Sequence, residues 1–206
     1  DWHMTLASAR KRAALLVSKA DHALMELLWR WRRGELAMDV TQVISNHPDL
    51  EPAVAGFGVP FHVVPVAKDT KDAAEGQLLD LLGDDTELIV LARYMQILSP
   101  RIVDRFDTRI INIHHSFLPA FVGADPYARA HARGVKLIGA TAHYVTQDLD
   151  EGPIIEQDVL RVSHRHSARE LRRLGADIER QVLARAVRWH LEDRVIVDGN
   201  KTLVFA

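Results

Sequence analysis

The 206-residue chain contains no cysteine. Disulfides, thiol nucleophiles and cysteine-ligated zinc are thereby excluded, and a reducing, cytoplasmic setting is expected. Charge of one sign is also missing: 26 basic and 28 acidic residues leave a net charge of −2, with no bulk electrostatic case for nucleic acid or an anionic membrane. No apolar run is long enough to span a bilayer, and the start shows no secretory-signal pattern. Phosphate-cradling glycine patterns are absent. The close pair Gly56 and Gly58 follows the second expected strand and runs into Pro60, which argues against a dinucleotide fingerprint; neither a P-loop nor a G-x-S-x-G elbow occurs.

What is present is an ordinary globular composition, 48% hydrophobic and 26% charged, ample for one core. The chain begins at Asp1, and residues 1–11 read as the remnant of a linker, so a trimmed piece of a longer product is expected, with one domain over 12–206. Apolar runs predict strands at 12–18, 38–45, 61–66, 87–92 and 110–113. Between them lie helical patterns: one capped by Asp21 and closed by Gly34, one over 70–82 ending at Gly83, and one starting at Ser99-Pro100. This alternation predicts an α/β fold with a doubly wound, mostly parallel sheet. Two longer runs, 136–146 and 153–162, predict a hairpin or mixed-sheet edge. Ser167 and Glu170 form a capping-box pattern ahead of a long helix with apolar positions at Leu171, Leu174, Ile178, Val182, Ala186 and Trp189. Its arginines, interleaved with Glu170, Asp177 and Glu179, predict a solvated face. Trp29 and Trp31 suit either an interface or the core, with the core as the default reading. A hairpin around Asp198-Gly199-Asn200 completes an antiparallel C-terminal extension.

Chemistry concentrates in two stretches. In the first, 110–119, apolar β-branched residues surround Asn112, and Pro119 stops the strand. Asn112 and His114 are two apart, so their side chains leave the same face of an extended backbone. An amide donor beside a titratable ring suits acyl chemistry, although a buried Asn or a strand-end His often serves structure alone. The second stretch, 143–153, carries His143 towards a loop rich in carboxylates that returns through Gly152-Pro153. In a doubly wound sheet the carboxyl ends of neighbouring strands share a crevice, where Asp150 is expected to meet Asn112 and His114. His114, His115, His143 and Asp150 could also be read as metal ligands. The two adjacent histidines, however, are expected on opposite faces of an extended chain, and no H-x-x-x-H pair accompanies them, so no metal is expected.

The segments ARYMQILSP (92–100), INIHHSFLPAF (111–121), GATAHYVT (139–146) and LDEGPIIEQ (149–157) together resemble the formyltransferase fold and, within it, the formyltetrahydrofolate deformylase family. The resemblance implies a catalytic trio of Asn112, His114 and Asp150. It further implies a pterin lying against Met95, Gln96, Ile97 and Leu98 and against the loop that includes Val145 and Thr146, with His143 supporting that loop. The implied reaction is hydrolysis of 10-formyltetrahydrofolate to tetrahydrofolate and formate, in one-carbon metabolism beside purine biosynthesis. The folate is then the substrate and no further cofactor is called for; a homo-oligomer is expected. The alternative is transfer of the formyl group to an amine, as in glycinamide ribonucleotide formyltransferase. Those enzymes carry a Gly-Ser/Thr-Asn phosphate loop after the first strand, and Pro where His115 stands. Here that loop reads Ser18-Lys19-Ala20-Asp21-His22, whose acid would repel a phosphate, which favours water as acceptor. The chain departs from the resemblance in lacking a leading ACT-type regulatory module, in Ala23 where Cys is common, and in Val122 where a basic residue is common, which bears on the entrance loop up to Asp125.

Overall fold

The apolar runs become the central strands because both faces of them are covered. In the structure, a computed structural model that describes residues 9–67, 69–119 and 126–206, Ala13 to Val17 of β1 (Lys11–Val17) are fully buried. So are Leu88 to Val90 of β4 (Leu88–Leu91). With β2 (Met38–Ser45), β3 (Phe61–Val63) and β5 (Ile110–His114) they form a parallel set in the order β3-β2-β1-β4-β5. The hairpin β6 (Leu137–Tyr144) and β7 (Ile154–Arg161) adds two antiparallel strands beyond β5, completing a seven-stranded sheet. The mostly parallel α/β fold expected from the alternation is thus present. Residues 1–8, and Val122 and Asp125 of the entrance loop, lie outside the described residues.

Strand β3 is shorter than expected. The Val64 amide still donates to the Ser45 carbonyl at 2.8 Å, but Pro65 has no N–H with which to continue the ladder. Two short helices were not foreseen: α2 (Glu51–Ala55) and α5 (Pro126–Arg133). Both carry proline in the first turn, where its missing N–H costs nothing, and that signal was available at Asp125-Pro126.

Helices cover both faces of the sheet. Residues of α1 (His22–Arg32), α2, α5 and α6 (Ala168–Leu191) pack with Leu15, Val17, Val90, Ile111, Ile113 and their neighbours in one core. Residues of α3 (Lys71–Leu82) and α4 (Pro100–Arg105) pack with Leu16, Ile89, Leu91 and Ile110 in a second core on the opposite face. Asp21 and Ser99 occupy the N-cap positions read from the sequence, yet neither side chain makes the capping hydrogen bond. Ser167 does. Its Oγ accepts from the Glu170 amide at 3.3 Å, and its own amide donates to the Glu170 carboxylate at 2.7 Å. Replacing Ser167 by Ala is expected to lower stability by about 1 kcal/mol, read from the midpoint of denaturant unfolding. Trp31 packs against the first core, whereas Trp29 is half exposed, with its ring edge-on to Phe57. A hairpin of β8 (Val195–Asp198) and β9 (Lys201–Val204), turned at Gly199 with φ +61°, forms a separate two-stranded sheet. Among the described residues, no helix is long and apolar enough to cross a membrane.

Candidate active site

Alternation along β5 sends Ile111 and Ile113 into the core beneath α1 and α6, and turns Asn112 and His114 to the other face. Ala140, Ala142 and Tyr144 of β6 likewise join the first core, which leaves Thr141 and His143 beside His114 and Asn112. This polar face borders a cleft of about 630 Å³. Asn112, His114, His143, Val145, Thr146 and Asp150 all line it, as do the four residues from Met95 to Leu98. Every site residue read from the sequence therefore borders one cleft.

The route by which Asp150 arrives is not the one expected. Because β6 is antiparallel to β5, Tyr144 pairs with Ile111, and the carboxyl end of β6 lies beside the start of β5 rather than its end. The two strands do not share carboxyl ends. Asp150 reaches the cleft because the β6–β7 connection doubles back. The Val145 amide donates to the Ile110 carbonyl at 2.9 Å, and Gln147 Nε2 donates to Asp104 at 2.8 Å. Asp150 itself takes left-handed backbone, φ +59°, and Gly152 then passes so close to β6 that a Cβ there would lie 1.9 Å from the Tyr144 carbonyl oxygen.

The carboxylate so delivered has Oδ2 3.3 Å from His114 Nδ1 and Oδ1 3.7 Å from His143 Nε2. Burial raises its pKa, but the hydrogen bond from His114, the proximity of His143 and the charge of the His114 ring outweigh it and hold Asp150 well below the ordinary carboxylate range. His143 is oriented by Nδ1, 2.8 Å from its neighbour's carbonyl oxygen at Tyr144, so that Nδ1 donates and Nε2 can accept from Asn112 Nδ2 at 3.2 Å. That bond uses one N–H of the amide and leaves the second for a ligand. His114 Nε2 is buried and has no hydrogen-bond partner among the described residues. An acid, an imidazole nitrogen and an amide donor thus stand together at one point of the cleft.

His115 corrects another expectation. Strand β5 ends at His114, so the alternation of faces lapses, and the two rings stack at 5.1 Å between centroids instead of parting. Burial, with Arg93 and His114 nearby, lowers the His115 pKa to about 4, which leaves this ring neutral at pH 7. Among the described residues, no group of three or more His, Cys, Asp or Glu is arranged to hold a metal ion.

Sequence reading missed the opposite wall. Glu179, assigned to a solvated face, is 1% exposed. It accepts from Tyr127 Oη at 2.7 Å, contacts His22 Nε2 at 2.8 Å, and has Arg93 Nε 3.4 Å away. Burial would raise its pKa, but the His22 hydrogen bond and the Arg93 charge reverse that and keep it low. Gly175 makes this contact possible: a Cβ there would sit 2.0 Å from the Tyr127 hydroxyl. Ser18 ties the Met95–Leu98 segment to the strand ends, accepting from the Met95 amide at 3.0 Å while donating to Asn46 Oδ1 at 2.6 Å. Because Ser18 is buried, its replacement by Ala leaves both partners unmatched and is expected to cost about 1–3 kcal/mol in equilibrium unfolding.

The model of the formyl transferase family matches residues 11–187. A formyltetrahydrofolate deformylase of Mycobacterium tuberculosis is 60% identical over 205 residues, covering 100% of this chain and 66% of the relative. The chain thus spans slightly less than two thirds of that protein's length. The crystal structure of a formyltetrahydrofolate deformylase from Pseudomonas syringae pv. tomato matches with a TM-score of 0.98 at 52% identity, covering 100% of this chain and 70% of that one. Glycinamide ribonucleotide transformylase 1 from Symbiobacterium toebii matches with a TM-score of 0.87 at 31% identity, covering 98% and 96%. The fold is common to both groups and the sequence is nearer the first: the chain belongs to the formyl transferase family and, within it, to the formyltetrahydrofolate deformylases.

Proposed function

We propose that the chain hydrolyses 10-formyltetrahydrofolate to tetrahydrofolate and formate. The observation that carries this reading is the convergence of Asn112, His114 and Asp150 at one point of the cleft. The pterin lies against the Met95–Leu98 segment, where the exposed Met95 and Ile97 offer apolar contact, and against Val145 and Thr146. The attacking water is oriented by Asp150, whose acidity keeps it anionic at neutral pH. As the water oxygen bonds to the formyl carbon, the second N–H of Asn112 and a proton on His114 Nε2 face the formyl oxygen and stabilise its growing negative charge. A well-aimed donor of this kind contributes about 2.7–4 kcal/mol. The water proton passes to Asp150. His114 then gives its proton to the departing nitrogen as the carbon–nitrogen bond breaks, a general-acid step worth about 10²–10⁴-fold. His114 Nδ1 keeps its proton towards Asp150 throughout. Loss of the Asp150 proton to solvent and uptake of one from solvent at His114 Nε2 reset the pair, and the formic acid released ionises to formate.

The test is incubation with 10-formyltetrahydrofolate and no added acceptor, followed by free formate and by the ultraviolet absorbance of tetrahydrofolate. Stoichiometric formate is expected. Formylation of an added amine with no formate in its absence would overturn the reading. The homo-oligomer expected from the sequence belongs to the same proposal and is read from the mass of the chain in solution.

A further inference from the structure

The cleft has a second side that the reaction above leaves unused. Asn112 and His114 face the layer of α3 and α4, yet the cleft continues round the ends of β4 and β5 to His22 on α1, Tyr127 on α5 and Glu179 on α6. Arg93 joins the two sides. It follows β4 in left-handed backbone, φ +68°, a conformation disfavoured for any residue with a Cβ and kept only where surrounding contacts impose it. Four described non-glycine residues have positive φ, and the two that line the cleft are Asp150 and Arg93. Asp150 already has a task there.

The turn at Arg93 points its guanidinium towards α6, with Nε 3.4 Å from a Glu179 oxygen. That carboxylate is also engaged by His22 and Tyr127. Arg93 Nε and Nη1 are buried and find no hydrogen-bond partner among the described residues. Each of these two nitrogens forms one forked edge of the planar guanidinium together with Nη2, and such an edge fits a carboxylate with two parallel bonds. Arg172 lines the same side and adds positive charge, while the neutral His115 ring adds none. Hydrolysis would create one small carboxylate, formate, next to the anionic Asp150, which repels it.

We propose that Arg93 is the recognition group of a formate subsite on the α1/α5/α6 side of the cleft, drawing the product away from Asp150. The identity of the anion rests on the hydrolytic reading. The site itself rests on the guanidinium, whose charge faces Glu179 while its buried Nε and Nη1 make no hydrogen bond among the described residues.

Titration of the folate-free chain with sodium [¹³C]formate, followed by NMR, tests it. Saturable millimolar binding is expected. Arg93→Ala weakens binding by at least about tenfold, and Arg93→Lys, which keeps the charge without the fork, falls between. Glu179→Gln removes the competing carboxylate and tightens binding. Arg185→Ala, on a residue paired with Glu156 and Asp158 outside the cleft, leaves binding unchanged. Should Arg93→Ala fail to fold by circular dichroism, the opposite shifts of Arg93→Lys and Glu179→Gln decide. No saturable binding, or equal binding by wild type and folded Arg93 variants, overturns the subsite. Formate release by a chain that does not bind formate overturns the subsite alone; Arg93-dependent binding in a chain that releases none supports the subsite and removes the hydrolytic reading.

Discussion

Replacing Asp150 by Asn is expected to leave a folded protein that releases formate from 10-formyltetrahydrofolate about 10²–10⁴-fold more slowly. The substitution keeps the size of the side chain and removes its charge, so the water loses its acceptor and His114 loses the anion beside Nδ1. A second readout is stability against pH. In the folded chain the Asp150 pKa is depressed, so the unfolded state binds more protons in the acid range. The resulting stabilisation is fully present above the ordinary carboxylate pKa of about 3.9, and is lost as pH falls through that value towards the lower folded one. Asp150→Asn should therefore unfold less steeply in acid than wild type. Turnover near the wild-type rate would remove the carboxylate from the mechanism.

Gly152→Ala is expected to damage both fold and activity. A Cβ at this position would sit 1.9 Å from the Tyr144 carbonyl oxygen, and the obstruction is backbone rather than the end of a flexible side chain. Either β7 or the β6–β7 connection must move. Overpacking of this kind costs about 1–3 kcal/mol, and backbone involvement places the expected loss at the upper end. The Tyr144 amide bonds to the Pro153 carbonyl at 2.9 Å, so displacement propagates to the start of β7 and, two residues back, to Asp150. Equilibrium unfolding and formate release should fall together. Full activity in a destabilised protein would show that the acid is aimed by contacts other than this close approach.

Much of the scaffold was legible because it is governed by one-dimensional patterns. The run Ala13 to Val17 announces a strand covered on both faces, and Ser167 with Glu170 announces the start of α6. The shared face of Asn112 and His114 follows from strand periodicity alone. Each failure concerns a contact made across elements. The stacking of His115 on His114 depends on where β5 stops. Glu179 lies four residues after Gly175 and three before Val182, in the buried stripe of α6, but the cation and hydroxyl that make its burial tolerable come from β4's end and from α5. Arg93 gave no signal, since nothing in its neighbours marks a left-handed arginine. The position of Asp150 was right for a wrong reason: its loop crosses back over the sheet instead of leaving from a common rim.

That reversal divides the proposed trio into parts of unequal mechanical character. Asn112 and His114 inherit the stiffness of a strand flanked by β4 and β6, whereas the acid rides on a surface turn anchored by Val145 and Gln147. Lengthening or shortening that turn would re-aim the proposed acid without disturbing a single rung of the ladder beneath it.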